Sequence, residues 1–131
     1  MGIGRSENMR RISSKDTAPE MAVRRLVHAM GYRYRLHRKN LPGKPDLVFV
    51  VRRKVIFIHG CFWHQHSGCR AGRPPRSNTD YWLPKLRRNQ ERDRVALAHL
   101  ADSGWKALVI WECETKDSPA LAARIKLFLQ V

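Results

Sequence analysis

The sequence predicts an α/β domain in which one mixed β-sheet is covered by helices on both faces. Three observations predict it. Two short runs, LVFVV at 47–51 and VIFIH at 55–59, are apolar at consecutive positions, as strands buried on both faces are. Three segments with apolar residues at helical spacing carry capping residues at their ends. The order helix, three strands, helix, strand, helix fits within 131 residues, without internal repeat, as a single domain.

Residues 1–16 read as a flexible basic N-terminal arm, and 17–131 as the domain. TAPE at 17–20 reads as a capping box, with Thr17 at the N-cap, Pro19 in the first turn and Glu20 reaching back. Val23, Leu26, Val27 and Met30 recur at helical spacing, and Gly31 ends the helix. YRYRL at 32–36 alternates as a half-buried strand does, and NLPGKPD is a turn-rich connection. The runs 47–51 and 55–59 are separated by Arg52, Arg53 and Lys54, so they should pair as a hairpin. Residues 60–81 read as irregular. A long helix over 83–102 ends at Gly104, KALVIWE at 106–112 is a strand, and a last helix starts with Ser118 as N-cap and Pro119 behind it.

Charge is the strongest global signal. Twenty-six Lys and Arg face eleven Asp and Glu, a formal net charge of +15. Such an imbalance repels itself in a folded chain and calls for an anionic partner, nucleic acid before an anionic membrane surface. No stretch is uncharged for the roughly 20 residues that a membrane span needs, and the N-terminus has no apolar run of a secretory signal. Three cysteines, an odd number, point to a reducing compartment, hence a cytoplasmic protein with free or metal-bound thiols.

The chemistry concentrates in FIHGCFWHQHSGC, residues 57–69. Cys61, His66 and Cys69 are spaced C-x4-H-x2-C, and Cys113 is the remaining thiol, just past a strand that can lie beside 55–59. Four N/S ligands suit a closed, structural Zn2+ site. Buried free thiols are the plainer reading, but every cysteine falls where one site could collect it. His59 and His64 remain. Hairpin pairing should make Asp46, at the start of one strand, a neighbour of His59, at the end of the next. A carboxylate there can hold Mg2+, and an imidazole beside it can take a proton from water. Phe62 and Trp63, and Tyr81 and Trp82, are paired aromatics on loops of a basic protein, able to wedge between bases as well as to pack. Trp105 and Trp111 read as core.

PGKPDLVF, VIFIHGCFWHQHSGC, NTDYWLPKLRRNQERD and GWKALVIWEC together resemble the very-short-patch-repair (Vsr) DNA mismatch endonucleases, over about Met9 to Cys113. The resemblance implies a restriction-endonuclease-like core with an added zinc site. It implies an enzyme that nicks the strand 5′ to the thymine of a T:G mismatch, the product of 5-methylcytosine deamination, leaving 3′-hydroxyl and 5′-phosphate ends. Asp46 matches the catalytic Mg2+-binding aspartate, His59 and His64 the site's histidines, and Glu20 an acidic residue near them. Cys61, His66, Cys69 and Cys113 match the zinc ligands, and Phe62, Trp63 and Trp82 the intercalating aromatics. FIH lacks the E-x-K or D-x-K of the usual nuclease core; the resemblance implies that the histidine stands in that place and that the backbone carbonyl of Ile58 serves the metal. The spacer Ser67-Gly68 also departs from the family pattern. The implied partner is double-stranded DNA with a T:G mismatch, with room for mismatch-repair proteins, and the chain is expected to act as a monomer, nucleoid-associated and of bacterial type. A zinc-stabilised, non-catalytic DNA- or RNA-binding module would explain the charge, cysteines and aromatics, but not an aspartate and two spare histidines converging on one sheet edge.

Overall fold

The computed structural model describes residues 17–38 and 40–130; the arm at 1–16 lies outside them. Helix α1 (Ala18–Ala29) starts as expected, with the Thr17 hydroxyl accepting the Glu20 N–H at 3.4 Å. Glu20 departs from the expected box: a carboxylate oxygen turns to His37 and Arg24. The helix ends in a Schellman motif, the Gly31 and Tyr32 amides donating to the His28 and Val27 carbonyls.

Four strands follow, β1 (Arg35–Leu36), β2 (Leu47–Phe49), β3 (Lys54–His59) and β4 (Lys106–Trp111). They lie in the order β1-β2-β3-β4, with β4 parallel to β3 and the other pairs antiparallel. Strand β1 is shorter than the expected 32–36, because Tyr32 is still engaged in the helix cap. The hairpin expected at 52–54 turns over Val50–Arg53 instead. Arg53 donates back to Val50 at 3.2 Å in a left-handed conformation (φ 54°), and Val51 is 98% exposed. A four-residue reversal takes two valines out of the strand despite their β-propensity. The basic residues beside it have structural work. Lys54 Nζ donates to the Phe128 carbonyl at 2.6 Å and Arg52 to the Leu129 carbonyl at 3.2 Å, at the end of helix α3 (Ser118–Gln130), where the helix dipole favours cations.

Helix α2 (Thr79–Asp102) starts four residues earlier than predicted. Pro84 sits in its second turn, where it costs one intrahelical hydrogen bond rather than a new helix start. Helix α3 is capped by Asp117, not Ser118: its carboxylate accepts the Ala120 N–H at 3.2 Å. Short 3-10 turns occupy Arg70–Gly72 and Glu112–Lys116.

Alternation along the strands splits the core in two. Leu47, Phe49 and Ile56 join Val23 and Val27 of α1 and Leu121, Ile125 and Leu129 of α3. Val48, Val55 and Phe57 pack with Leu100 of α2 on the other face. Both faces of the sheet are covered, as the unbroken apolar runs required. Among the described residues no helix is long and apolar enough to cross a membrane.

Candidate active site and metal centre

The carboxylate end is built by a tight loop. Gly43 has φ 76°, and a Cβ there would lie 2.8 Å from Ala96 Cβ and 3.0 Å from the Phe57 ring. Only glycine lets this turn lie against α2 and β3. Asp46 then enters the sheet, its amide donating to the Ile56 carbonyl at 3.1 Å and its Oδ2 accepting the Ile58 N–H at 2.7 Å. Burial, reinforced by the Glu20 charge, raises the Asp46 pKa to about 6, although the Ile58 N–H pulls it down. Glu20, on the first turn of α1, is 2% exposed and places Oε2 3.0 Å from His37 Nε2 and 3.4 Å from Arg24. His37 follows β1 and its amide donates to the Asp46 carbonyl at 3.1 Å. Ligand atoms of Glu20, His37 and Asp46 all lie within 4.8 Å of one another, a group that could hold a cation.

The imidazoles form a second group. His59 ends β3 opposite Trp111 and is buried. Its ring stacks on His64 at 3.8 Å and 5°. His64 Nδ1 lies 2.5 Å from Asp93 Oδ2. One turn earlier on α2, Asn89 Nδ2 donates to the Trp63 carbonyl at 3.2 Å, so one face of that helix holds two successive residues of the loop. Burial, then the neighbouring His64, push the His59 pKa down to about 4, which leaves this ring neutral at neutral pH. The expected contact between Asp46 and His59 takes a different form. Asp46 groups with Glu20 and His37, and His59 with His64 and Asp93. The groups join through β3, where Asp46 grips the amide of the residue before His59.

The four expected metal ligands do converge. Atoms of Cys61, His66, Cys69 and Cys113 lie within 4.8 Å of one another. Nδ1 of His66 is 3.7 Å from Cys61 Sγ and 3.4 Å from Cys113 Sγ. Nitrogen and sulfur on a tetrahedral zinc at ordinary bond lengths stand about 3.6 Å apart. A three-sulfur, one-nitrogen donor set at this spacing fits such an ion, and all three thiols are free of disulfides. Trp111, read from sequence as core, stacks on His66 at 4.2 Å and meets the His59 ring edge-on at 5.3 Å, so it stands between the cysteine cluster and the imidazole pair.

Beside them lies an aromatic cluster. Trp82 contacts Phe62, Trp63 and Tyr81 with ring centroids 5.4, 5.8 and 4.9 Å away. Trp82 is itself 6% exposed; Tyr81 is 52% exposed and Phe62 and Trp63 are half-buried. Lys85 Nζ stands 5.6 Å from the Trp63 ring and 5.5 Å from that of Tyr81, a cationic rim on an aromatic face.

His37 and Asp93 were not singled out by sequence reasoning. The register that pairs Arg35 with Val48 and Leu36 with Leu47 carries His37 opposite Asp46, but only once β1 is located. Asp93 sits between Arg92 and Arg94 on a charged helix and reads as a solvated residue.

Carboxylates and imidazoles at one sheet end, beside a thiol and imidazole cluster that could hold a metal ion and an aromatic face on a chain of charge +15, define a candidate hydrolase of nucleic acid. Residues 3–70 match the family described as DNA mismatch endonuclease Vsr. The chain is 54% identical over 121 residues to "Type II nicking enzyme V.XorIIP" of Xanthomonas oryzae pv. oryzae, covering 92% of this chain and 88% of the relative. It is 46% identical over 121 residues to "Type II nicking enzyme V.NmeAIP" of Neisseria meningitidis serogroup A, covering 92% and 86%. To "DNA mismatch endonuclease Vsr" of Escherichia coli K12 it is 43% identical over 123 residues, covering 94% and 74%. This protein belongs to the Vsr DNA mismatch endonuclease family.

Proposed function

We propose that this protein nicks duplex DNA on the 5′ side of the thymine in a T:G mismatch, with Mg2+ held at Asp46 and a structural Zn2+ at Cys61, His66, Cys69 and Cys113. The observation that carries the reading is that Asp46, grouped with Glu20, holds the Ile58 amide of β3 next to His59, on which His64 stacks. A binding module has no use for two carboxylates and two imidazoles at that point.

Asp46 and the backbone carbonyl of Ile58 would hold Mg2+, with Glu20 close behind. When bound, the ion neutralises charge that builds on the phosphate oxygens. Asp93 engages Nδ1 of His64, which leaves Nε2 as the basic nitrogen, free to take the proton of the attacking water. His59, neutral and stacked, fixes the plane of that ring. Attack on phosphorus expels the 3′ oxygen and leaves 3′-hydroxyl and 5′-phosphate ends. The zinc centre ties the loop carrying His64 to the end of β4, which offsets the ordering entropy of a segment rich in Gly and Pro.

Selection of the mismatch rests on deformation. Phe62 and Trp63 wedge into the stack with Trp82 as their platform, at about a few kcal/mol per opened step. A wobble pair stacks less well than a matched one, so opening it costs less. Basic side chains around the site hold phosphates without reading bases.

The test uses end-labelled duplexes, matched or carrying T:G, with Mg2+ or EDTA. Nicking of the thymine strand alone, with Mg2+ alone, is expected. Equal cutting of both duplexes would refute mismatch selection, and mismatch binding without cutting under any divalent ion would mark a zinc-stabilised binding module instead.

A further inference from the structure

His37 is grouped with Glu20 and Asp46, yet no step above uses it, and its placement is specific. Its backbone is left-handed, with φ 51°. That region is easy for glycine and is entered more readily by asparagine, aspartate and histidine than by other residues. The turn carries the side chain towards α1, where Nε2 lies 3.0 Å from Glu20 Oε2. Its amide meanwhile donates to the Asp46 carbonyl at 3.1 Å. One residue thus grips both Glu20 and Asp46, one by side chain and one by backbone. Arg24 also meets Glu20, at 3.4 Å, but from the same helix, so it cannot fix Glu20 relative to β2. Glu20 is 2% exposed, and a carboxylate so buried depends on its partners for direction.

We infer that His37 is a positioning residue for the reaction: it draws the Glu20 carboxylate across from α1 and holds it beside Asp46, so that both present a fixed pair of oxygen donors to the divalent cation. The inference rests on the proposed role of Asp46. Its direct consequence is on cation affinity, with no part in gripping DNA.

The test compares His37→Ala with His37→Gln, whose amide nitrogen reaches about where Nε2 lies. Mn2+ binding to the DNA-free protein is followed by electron paramagnetic resonance. The Mg2+ half-saturation of single-turnover nicking and the affinity for T:G duplex in EDTA are measured alongside. Loss of an outer partner of a metal ligand typically costs about 10- to 100-fold in metal affinity. His37→Ala is expected to weaken Mn2+ binding and raise the Mg2+ half-saturation by such a factor, with duplex affinity unchanged, and His37→Gln to restore most of both. Wild-type Mn2+ affinity in His37→Ala would overturn the inference, as would a folded His37→Gln no better than the alanine variant. If His37→Ala does not fold, His37→Asn, which suits the left-handed backbone but is too short for Glu20, takes its place with the same expected loss. Asp46→Ala separates the two readings. If it still nicks, the role of Asp46 falls; if it neither binds Mn2+ nor nicks while His37→Ala behaves as wild type, only the role of His37 falls.

Discussion

Gly72 offers a sharp test of the metal centre, because its environment is backbone rather than flexible side chain. A Cβ at this position would lie 2.3 Å from the carbonyl oxygen of His66, 2.9 Å from its nitrogen and 3.0 Å from its carbonyl carbon. An ordinary carbon–oxygen contact is about 3.3 Å, so the methyl of Gly72→Ala overlaps the ligand's own peptide by about 1 Å. The loop must open to relieve it, and overpacking of this kind costs about 1–3 kcal/mol. If the cost falls on the metal-bound arrangement, it appears as an about 5- to 140-fold weaker hold on Zn2+, at about 1.4 kcal/mol per decade. Competition against a chromogenic chelator measures this directly. Gly60→Ala is the matched control at the other end of the same loop, since its Cβ would meet nothing nearer than Trp63 Cδ1 at 3.6 Å. Gly72→Ala with wild-type zinc affinity and wild-type Tm would refute the claim that this turn is closed against a metal ligand.

Other outcomes follow from the same geometry. Asp46, with its pKa near 6, is mostly ionised at pH 7 and mostly protonated at pH 5, so the Mg2+ half-saturation of nicking should rise about tenfold between them; a constant value would contradict a cation at this carboxylate. A folded-state pKa raised above the unfolded value means that stability is full below about pH 4 and is lost as pH rises through 6. Asp46→Asn keeps an acceptor for the Ile58 amide and removes the buried charge, so it should raise Tm at pH 7, not at pH 4, while abolishing nicking. Asp93→Asn should lower kcat by about 10²-fold or more with T:G duplex affinity unchanged, since it disturbs the tautomer and orientation of the base rather than the DNA contacts; an unchanged kcat would remove Asp93 from the mechanism. Trp82→Ala should cost about 3–5 kcal/mol of stability, read by denaturant unfolding, while Trp63→Ala leaves stability near wild type and weakens preference for T:G over matched duplex.

What could be read from the sequence follows what is local. The convergence of Cys61, His66, Cys69 and Cys113 was legible because three sit within nine residues and one cysteine remained to complete the set. Asp46 was legible because PGKPD delivers an acid to the start of an unmistakable strand. Glu20 was placed near the site only through the family resemblance; its own neighbourhood argued for a helix cap, and burial beside His37 won over that local role. His37 and Asp93 depend on strand register and on the rotation of a 24-residue helix, which no local pattern encodes. Val50 and Val51 were misassigned because turn geometry outweighed β-propensity, and Arg52 and Lys54 were counted toward an anionic partner although they close the end of α3.

The central claim is that Asp46 and the His59–His64 pair act on one phosphodiester. Single-turnover nicking of a T:G duplex by Asp46→Ala and by His64→Ala, each with T:G binding measured in parallel, tests it most directly. Both variants should hold the mismatch as wild type does and leave the strand uncut at saturating Mg2+. Wild-type cutting by either one, with the duplex fully bound, would contradict it.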